Sequence, residues 1–134
     1  MNGPTPTVVR NWFAARGWKA FPFQRAVWKA ALAGQSGLLH ANTGAGKTFA
    51  VWFAALQRGA LARSKRAGGL RVLWITPMRA LAADTQRALE ESAAALAPGW
   101  TVGARTGDTG SAERARQSRS WPTALVTTKP SFSK

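Results

Sequence analysis

The sequence predicts an α/β domain, a mostly parallel sheet flanked by helices. Three observations predict it. Segments with helical apolar periodicity alternate with short apolar runs of strand length. One such run leads through a glycine-rich turn straight into a helix. Glycine or proline marks most of the boundaries between segments. The 134 residues suffice for one domain, and a hydrophobic content of 46% excludes general disorder.

Thr7–Arg16 places Val8, Val9, Trp12, Phe13 and Ala15 on one helical stripe, which Gly17 stops. Pro22 opens a second helix at its first position, where its missing N–H costs nothing. Phe23, Val27, Ala30 and Ala31 form its buried face, and Gly34 ends it. Gly37–Ala41 reads as a short buried strand. A glycine-rich turn follows, then a helix from Lys47 to Leu61 with Val51, Phe53, Ala54 and Ala55 inward. Arg63–Gly69 is a basic loop. Arg71–Thr76 is a second buried strand, closed by Pro77, and a long helix runs over Ala80–Ala97 to Pro98-Gly99. Trp100–Ala104 is a third strand and Ala124–Thr128 a fourth, with Ser111 capping a short basic helix between them. Strands alternating with helices imply a parallel sheet covered on both faces.

Composition narrows the chemistry. The chain has no cysteine, which excludes a disulfide framework, a thiolate metal site and a cysteine nucleophile. His40 is the single histidine, so clustered histidine ligation is excluded too. Met1–Thr7 lacks the basic start and apolar run of a secretion signal, and charge or glycine interrupts every apolar stretch short of a membrane span. The expectation is a cytoplasmic protein with no membrane partner. Nineteen Lys and Arg stand against five Asp and Glu, a net charge of +14. Such an excess fits a polyanion partner, and it fits a composition biased toward arginine and alanine. Most of the seven Trp are expected in cores, with stacking on bases the minority role.

The strongest signal is Ala41-Asn42-Thr43-Gly44-Ala45-Gly46-Lys47-Thr48, after a strand and opening a helix. Gly44 and Gly46 let the backbone bend and bring N–H groups close to phosphate oxygens, with Thr43 and Ala45 between and beside them. The helix N-terminus adds positive dipole. Lys47 reaches the β- and γ-phosphates of ATP, and Thr48 offers its hydroxyl to Mg²⁺. The general pattern starts with glycine, where this chain has Ala41.

The form Ala-x-Thr-Gly-x-Gly-Lys-Thr resembles that of superfamily 2 DEAD/DEAH (DExH)-box helicases, nearest to the large helicase-related (Lhr) and ligase-associated DNA helicases. The resemblance covers nearly the whole chain. Gly17-Trp18-Lys19-Ala20-Phe21-Pro22-Phe23-Gln24 resembles the family's adenine-reading region, in which Gln24 bonds the base edge. Phe21, Phe23 and Trp28 are either ring-stacking partners or core. The stretch from Trp74 through Pro77, Arg79 and Ala80 to Thr85 resembles the first nucleic-acid motif. There a helix start holds a backbone phosphate with Arg79 assisting. Ala80 stands where DEAD-box RNA helicases carry Glu. Arg105-Thr106-Gly107-Asp108-Thr109 resembles the family's loop beside the nucleic-acid track, and Thr128 ends the strand leading to the next motif. Arg114, Arg116 and Arg119 either touch phosphates or form a solvated face.

The resemblance implies a P-loop NTPase: N-terminal helices with the adenine region over residues 1–36, then an incomplete RecA-like domain over 37–134. It implies ATP and Mg²⁺ as cofactors, single-stranded or partly duplex DNA as partner, and DNA-repair proteins as further partners. The family's Asp-Glu acid motif and second motor domain are missing. Asp84, Glu90, Glu91, Asp108 and Glu113 include no Asp-Glu pair after an apolar strand. Lys129-Pro130-Ser131 departs from the family's Thr-Thr-Pro-Glu continuation. The expectation is therefore a helicase fragment that binds nucleotide weakly and scarcely hydrolyses it. An RNA helicase fragment and a non-catalytic nucleic-acid-binding module with a vestigial P-loop are the alternatives.

Overall fold

The computed structural model describes residues 6–40, 46–61, 69–77 and 79–128. Contacts divide the chain into two compact units, Met1–Arg63 and Ser64–Lys134.

The first unit holds three helices, α1 (Pro6–Ala15), α2 (Pro22–Leu32) and α3 (Gly46–Leu61). Val9, Trp12 and Phe13 of α1 are buried, as its stripe predicts, while Val8 and Ala15 at its margins stay exposed. Gly17 and Gly34 take φ of 71° and 82° just past α1 and α2, a region in which a Cβ is strained. That geometry lets Trp18 N–H reach back to the Phe13 carbonyl (2.9 Å) and Gln35 N–H to the Ala30 carbonyl (3.0 Å). Aromatic rings fill the interior. Trp12 meets Phe53 edge-on at 5.2 Å, and Phe13 meets Trp28 edge-on at 5.9 Å. Each such pair adds about 0.5–1.5 kcal/mol beyond its buried area.

Three expectations change here. The most buried residues of α2 are Gln24 and Trp28, with Phe23, Val27, Ala30 and Ala31 half-buried. The helix is turned toward the two side chains whose polar atoms find partners inside. In α3, Val51 is exposed and Ala55 half-buried, whereas Ala50, Trp52, Phe53, Ala54, Leu56 and Gln57 are buried. Burial around most of the helix erases the single stripe that periodicity seeks. Residues 37–40 form no strand, and Leu38 is 83% exposed. A strand exists only with a neighbour to pair with, and no described strand pairs with this run.

The second unit is built on β1 (Val72–Thr76), β2 (Val102–Arg105) and β3 (Ala124–Thr128), all parallel in the order β1-β3-β2. β3 lies in the middle, with Trp74 and Ala104 both opposite Val126. Ala124, Leu125 and Val126 are correspondingly buried. Helix α4 (Arg79–Leu96) packs on the sheet and buries Ala82, Leu89, Ser92, Ala93 and Leu96. Leu73 and Ile75 of β1 are each 53% exposed, so this strand alternates instead of being buried throughout. Helix α5 (Ser111–Arg119) starts one residue earlier in its cap than expected. Gly110 is the N-cap, and its carbonyl accepts the Arg114 N–H at 3.0 Å, which leaves Ser111 as the first helical residue. No described helix is long and apolar enough to cross a membrane.

Candidate functional site

The first unit carries a cleft of about 400 Å³ lined by Phe13, Gly17, Trp18, Lys19, Phe21, Gln24, Gly46 and Phe49. Its walls are aromatic, and its floor is one amide. Gln24 is 2% exposed, so its polar atoms must be satisfied internally. Its Oε1 accepts the Phe21 N–H at 2.8 Å, which closes the first turn of α2. Its Nε2 donates to the Gly46 carbonyl at 2.9 Å, across 22 residues of sequence. The residue predicted to read a base is therefore tied to the first residue of the helix predicted to hold phosphate.

Packing favours glycine at 46, as the expected phosphate loop does. A Cβ there would lie 2.7 Å from Cζ of Phe23, a collision with a ring that is itself stacked on Phe21 at 5.8 Å. Lys47 and Thr48 follow in the first turn of α3, which holds no acidic residue. The leading N–H groups of a helix have no partner within it and carry its positive dipole. An aromatic slot ending at such a turn suits a flat base with an anionic tail. Thr43, Gly44 and Ala45 lie outside the described residues. Among the aromatic candidates, Trp28 is core: it is buried, and its indole N–H donates to the Phe49 carbonyl at 3.3 Å. Phe21 lines the cleft and is exposed.

The second unit gathers the other predicted residues at one place. Pro77 follows β1, Arg79 and Ala80 start α4, Arg105 ends β2 with Thr106, Gly107 and Asp108 beyond it, and Thr128 ends β3. All stand at the carboxyl ends of parallel strands, where open α/β sheets place their ligand sites. Arg79 and Asp108 pair at 3.2 Å, both well exposed. A Cβ on Gly107 would sit 3.0 Å from Cζ of Arg79, so glycine lets the guanidinium lie close against the turn. An exposed pair of this kind contributes little to stability, which leaves Arg79 exchangeable toward another anion. The three arginines of α5 differ. Arg114 donates from Nε to the Thr109 carbonyl at 3.1 Å and from Nη2 to the Thr106 carbonyl. Arg116 holds Glu113 through Nε (2.9 Å) and Nη2 (2.6 Å), which lowers the Glu113 carboxyl below its ordinary range. Arg119 is exposed.

Residues 21–134 match the DEAD/DEAH box helicase family. The chain belongs to that family. Within it, the chain is 32% identical to the Lhr helicase/probable uracil glycosylase of Mycolicibacterium smegmatis, over 98% of its own length and 10% of that protein. It is 34% identical to the Lhr helicase/uracil glycosylase of Escherichia coli, over 92% and 9% respectively. The ATP-dependent helicase Lhr-Core protein 2 of Thermococcus barophilus is 31% identical, over 92% of this chain and 16% of that one. A solved structure of Mycobacterium smegmatis helicase Lhr bound to ssDNA and AMP-PNP shares the fold, with a TM-score of 0.72 at 32% identity. It covers 93% of this chain and 17% of that one. The chain thus spans about a tenth to a sixth of the length of the helicases it matches. The P-loop NTPase, α/β class read from the sequence holds for this DEAD/DEAH box chain.

Sequence reasoning did not single out Phe13, Trp18 and Phe49 as cleft walls. The available signal was spacing: Phe49 stands two residues after Lys47, and Trp18 directly follows a helix-ending glycine.

Proposed function

We propose that this chain is the nucleotide- and strand-engaging part of an ATP-dependent DNA helicase that works in the cytoplasm. One observation carries the reading. Gln24 bridges Phe21 and Gly46 on the floor of an aromatic cleft that reaches Gly46, the residue before Lys47 and Thr48 at the start of α3. The cleft takes the adenine, with Gln24 at the base edge and an aromatic wall on its face. Thr43, Gly44, Ala45 and Gly46 surround the phosphates with N–H groups, Lys47 balances their charge, and Thr48 faces Mg²⁺. Bound ATP supplies the phosphoanhydride whose hydrolysis drives strand movement in the whole protein. The chain's own residues bind and orient it, and the acid that aims the attacking water comes from elsewhere.

The strand of nucleic acid lies along Pro77, Arg79, Ala80, Arg105, Thr106, Gly107, Asp108 and Thr128. The N-terminus of α4 and the Arg79 guanidinium hold backbone phosphates, and Gly107 allows close approach. Relatives named as Lhr helicases, one solved with ssDNA and AMP-PNP, support DNA over RNA and a nucleotide in the cleft. DNA-repair proteins are partners of the whole protein in this reading.

Thermal melting tests it. MgATP is expected to raise the melting temperature, and Lys47→Ala is expected to abolish the shift while leaving the fold intact. A shift that survives Lys47→Ala, or no shift at all, overturns the reading in favour of a nucleic-acid-binding module with a vestigial loop. Equal or tighter binding of an RNA strand than of a DNA strand overturns the DNA assignment alone.

A further inference from the structure

We infer that Arg114 is a positioning residue for strand binding: it sets the shape of the Thr106–Thr109 turn and does not itself meet phosphate. The inference rests on the proposed reading that this turn lies against a nucleic-acid strand. By charge alone, the three arginines of α5 are equivalent. By geometry, Arg114 is half-buried and turned back on its own chain. Its planar fork joins the two ends of the turn, with Nε on the Thr109 carbonyl and Nη2 on the Thr106 carbonyl.

The turn is also braced from within. Thr106 N–H donates to Thr109 Oγ1 at 2.9 Å, Thr109 N–H to the Thr106 carbonyl at 3.1 Å, and Asp108 N–H to Thr106 Oγ1 at 3.1 Å. Thr109 Oγ1 in turn donates to the Ala104 carbonyl of β2 at 3.2 Å. Gly107 sits at the tip of this braced turn, and the Arg79 guanidinium lies against it with Asp108 as its partner. Loosening the fork therefore moves the surface on which Arg79 rests. Lysine keeps the charge of Arg114 but has no planar fork to span two carbonyls. Valine at 109 removes the inner brace without changing any charge.

Salt dependence separates positioning from contact. A phosphate-contacting cation contributes to the slope of log affinity against log salt, and a group that only shapes the site does not. The experiment titrates the full chain with a fluorescently labelled single-stranded thymidine oligonucleotide over a salt series, for wild type, R79Q, R114K, T109V and R79Q/R114K. R79Q is expected to weaken binding and reduce the slope by roughly 0.7–1. R114K and T109V are expected to weaken it roughly five- to tenfold with the slope unchanged, the loss of about one well-aimed bond. The double variant is expected to fall short of the product of the single losses, because both act through one contact. Wild-type affinity in R114K, with a slope reduced by about one in Arg114→Gln, makes Arg114 a phosphate contact and overturns the inference. If R114K does not fold, T109V decides: weak binding at unchanged slope supports the inference, and wild-type affinity overturns it. If R79Q matches wild type, the strand reading itself fails. If R79Q is weak while R114K and T109V bind as wild type, only the inference fails.

Discussion

On the proposed reading, the two units recognise their ligands with opposite materials. In the first, rings surround one buried amide, and the polar atoms of Gln24 are both engaged by the backbone of the same unit. In the second, the candidate surface is an exposed arginine, an exposed aspartate and a hydroxyl-braced turn at the ends of three strands. On the proposed reading, the first adds shape and desolvation of the base to the charge of its phosphate turn, so salt weakens only part of its grip. The second works by charge at a surface, which salt screens. A chain with net charge +14 need not bind everything through that charge.

Ionic strength is expected to separate the two units most. Between about 50 and 200 mM salt, strand affinity is expected to fall roughly tenfold if two or three phosphates are held. The MgATP melting shift is expected to change far less over the same range, and a nucleotide shift as salt-sensitive as strand binding would erase the distinction. Gln24→Ala acts on the first unit. It strips both bonds from a buried position and leaves the Gly46 carbonyl without its donor, at about 1–3 kcal/mol of stability. A thermal or urea melt measures that loss, and the MgATP shift should shrink in the same variant. Gln24→Ala without either effect would mean that the cleft does not depend on its floor.

The smallest expected effect concerns α5. The Arg116 hydrogen bond, with the Arg116 charge and Gln117 Nε2 behind it, holds the Glu113 carboxyl below its ordinary value of 4.5. A lowered carboxyl contributes stability above its unfolded value, lost as pH falls through the folded one. The melting temperature of wild type should therefore decline slightly more steeply below about pH 4.5 than that of Glu113→Gln. Equal slopes would show that this exposed pair does not act on folding.

The helices were legible because their signals are local. Gly17, Pro22, Gly34 and Pro77 act through their own backbone, so boundaries at those residues follow from chemistry within a few positions. The failures lie where a distant partner decides. The strand expected at 37–41 depends on a neighbour that no local pattern reveals, and the exposure of Leu73 and Ile75 depends on what covers a face. The inward turn of α2 depends on Gly46, far along the chain, accepting from Gln24. Among the site residues, the glycine-rich loop, Arg79 and the Thr-Gly-Asp turn stood out as motifs. Arg114 did not, because a sequence records its charge and not the direction its fork takes.

The strand order has a consequence for how the second unit comes into being. Among the described residues, β1 and β2 do not pair with each other, and both pair with β3, the last of the three to be synthesised. Val72 and Ala124 lie 52 positions apart (124 − 72), Val102 and Ala124 22 apart (124 − 102). The sheet therefore closes through two long loops at once, a slow step whose entropy cost comes before any pairing rewards it. Until Ala124–Thr128 has left the ribosome, β1 and β2 lack the central strand with which both pair, an interval in which unpaired strand edges stand open.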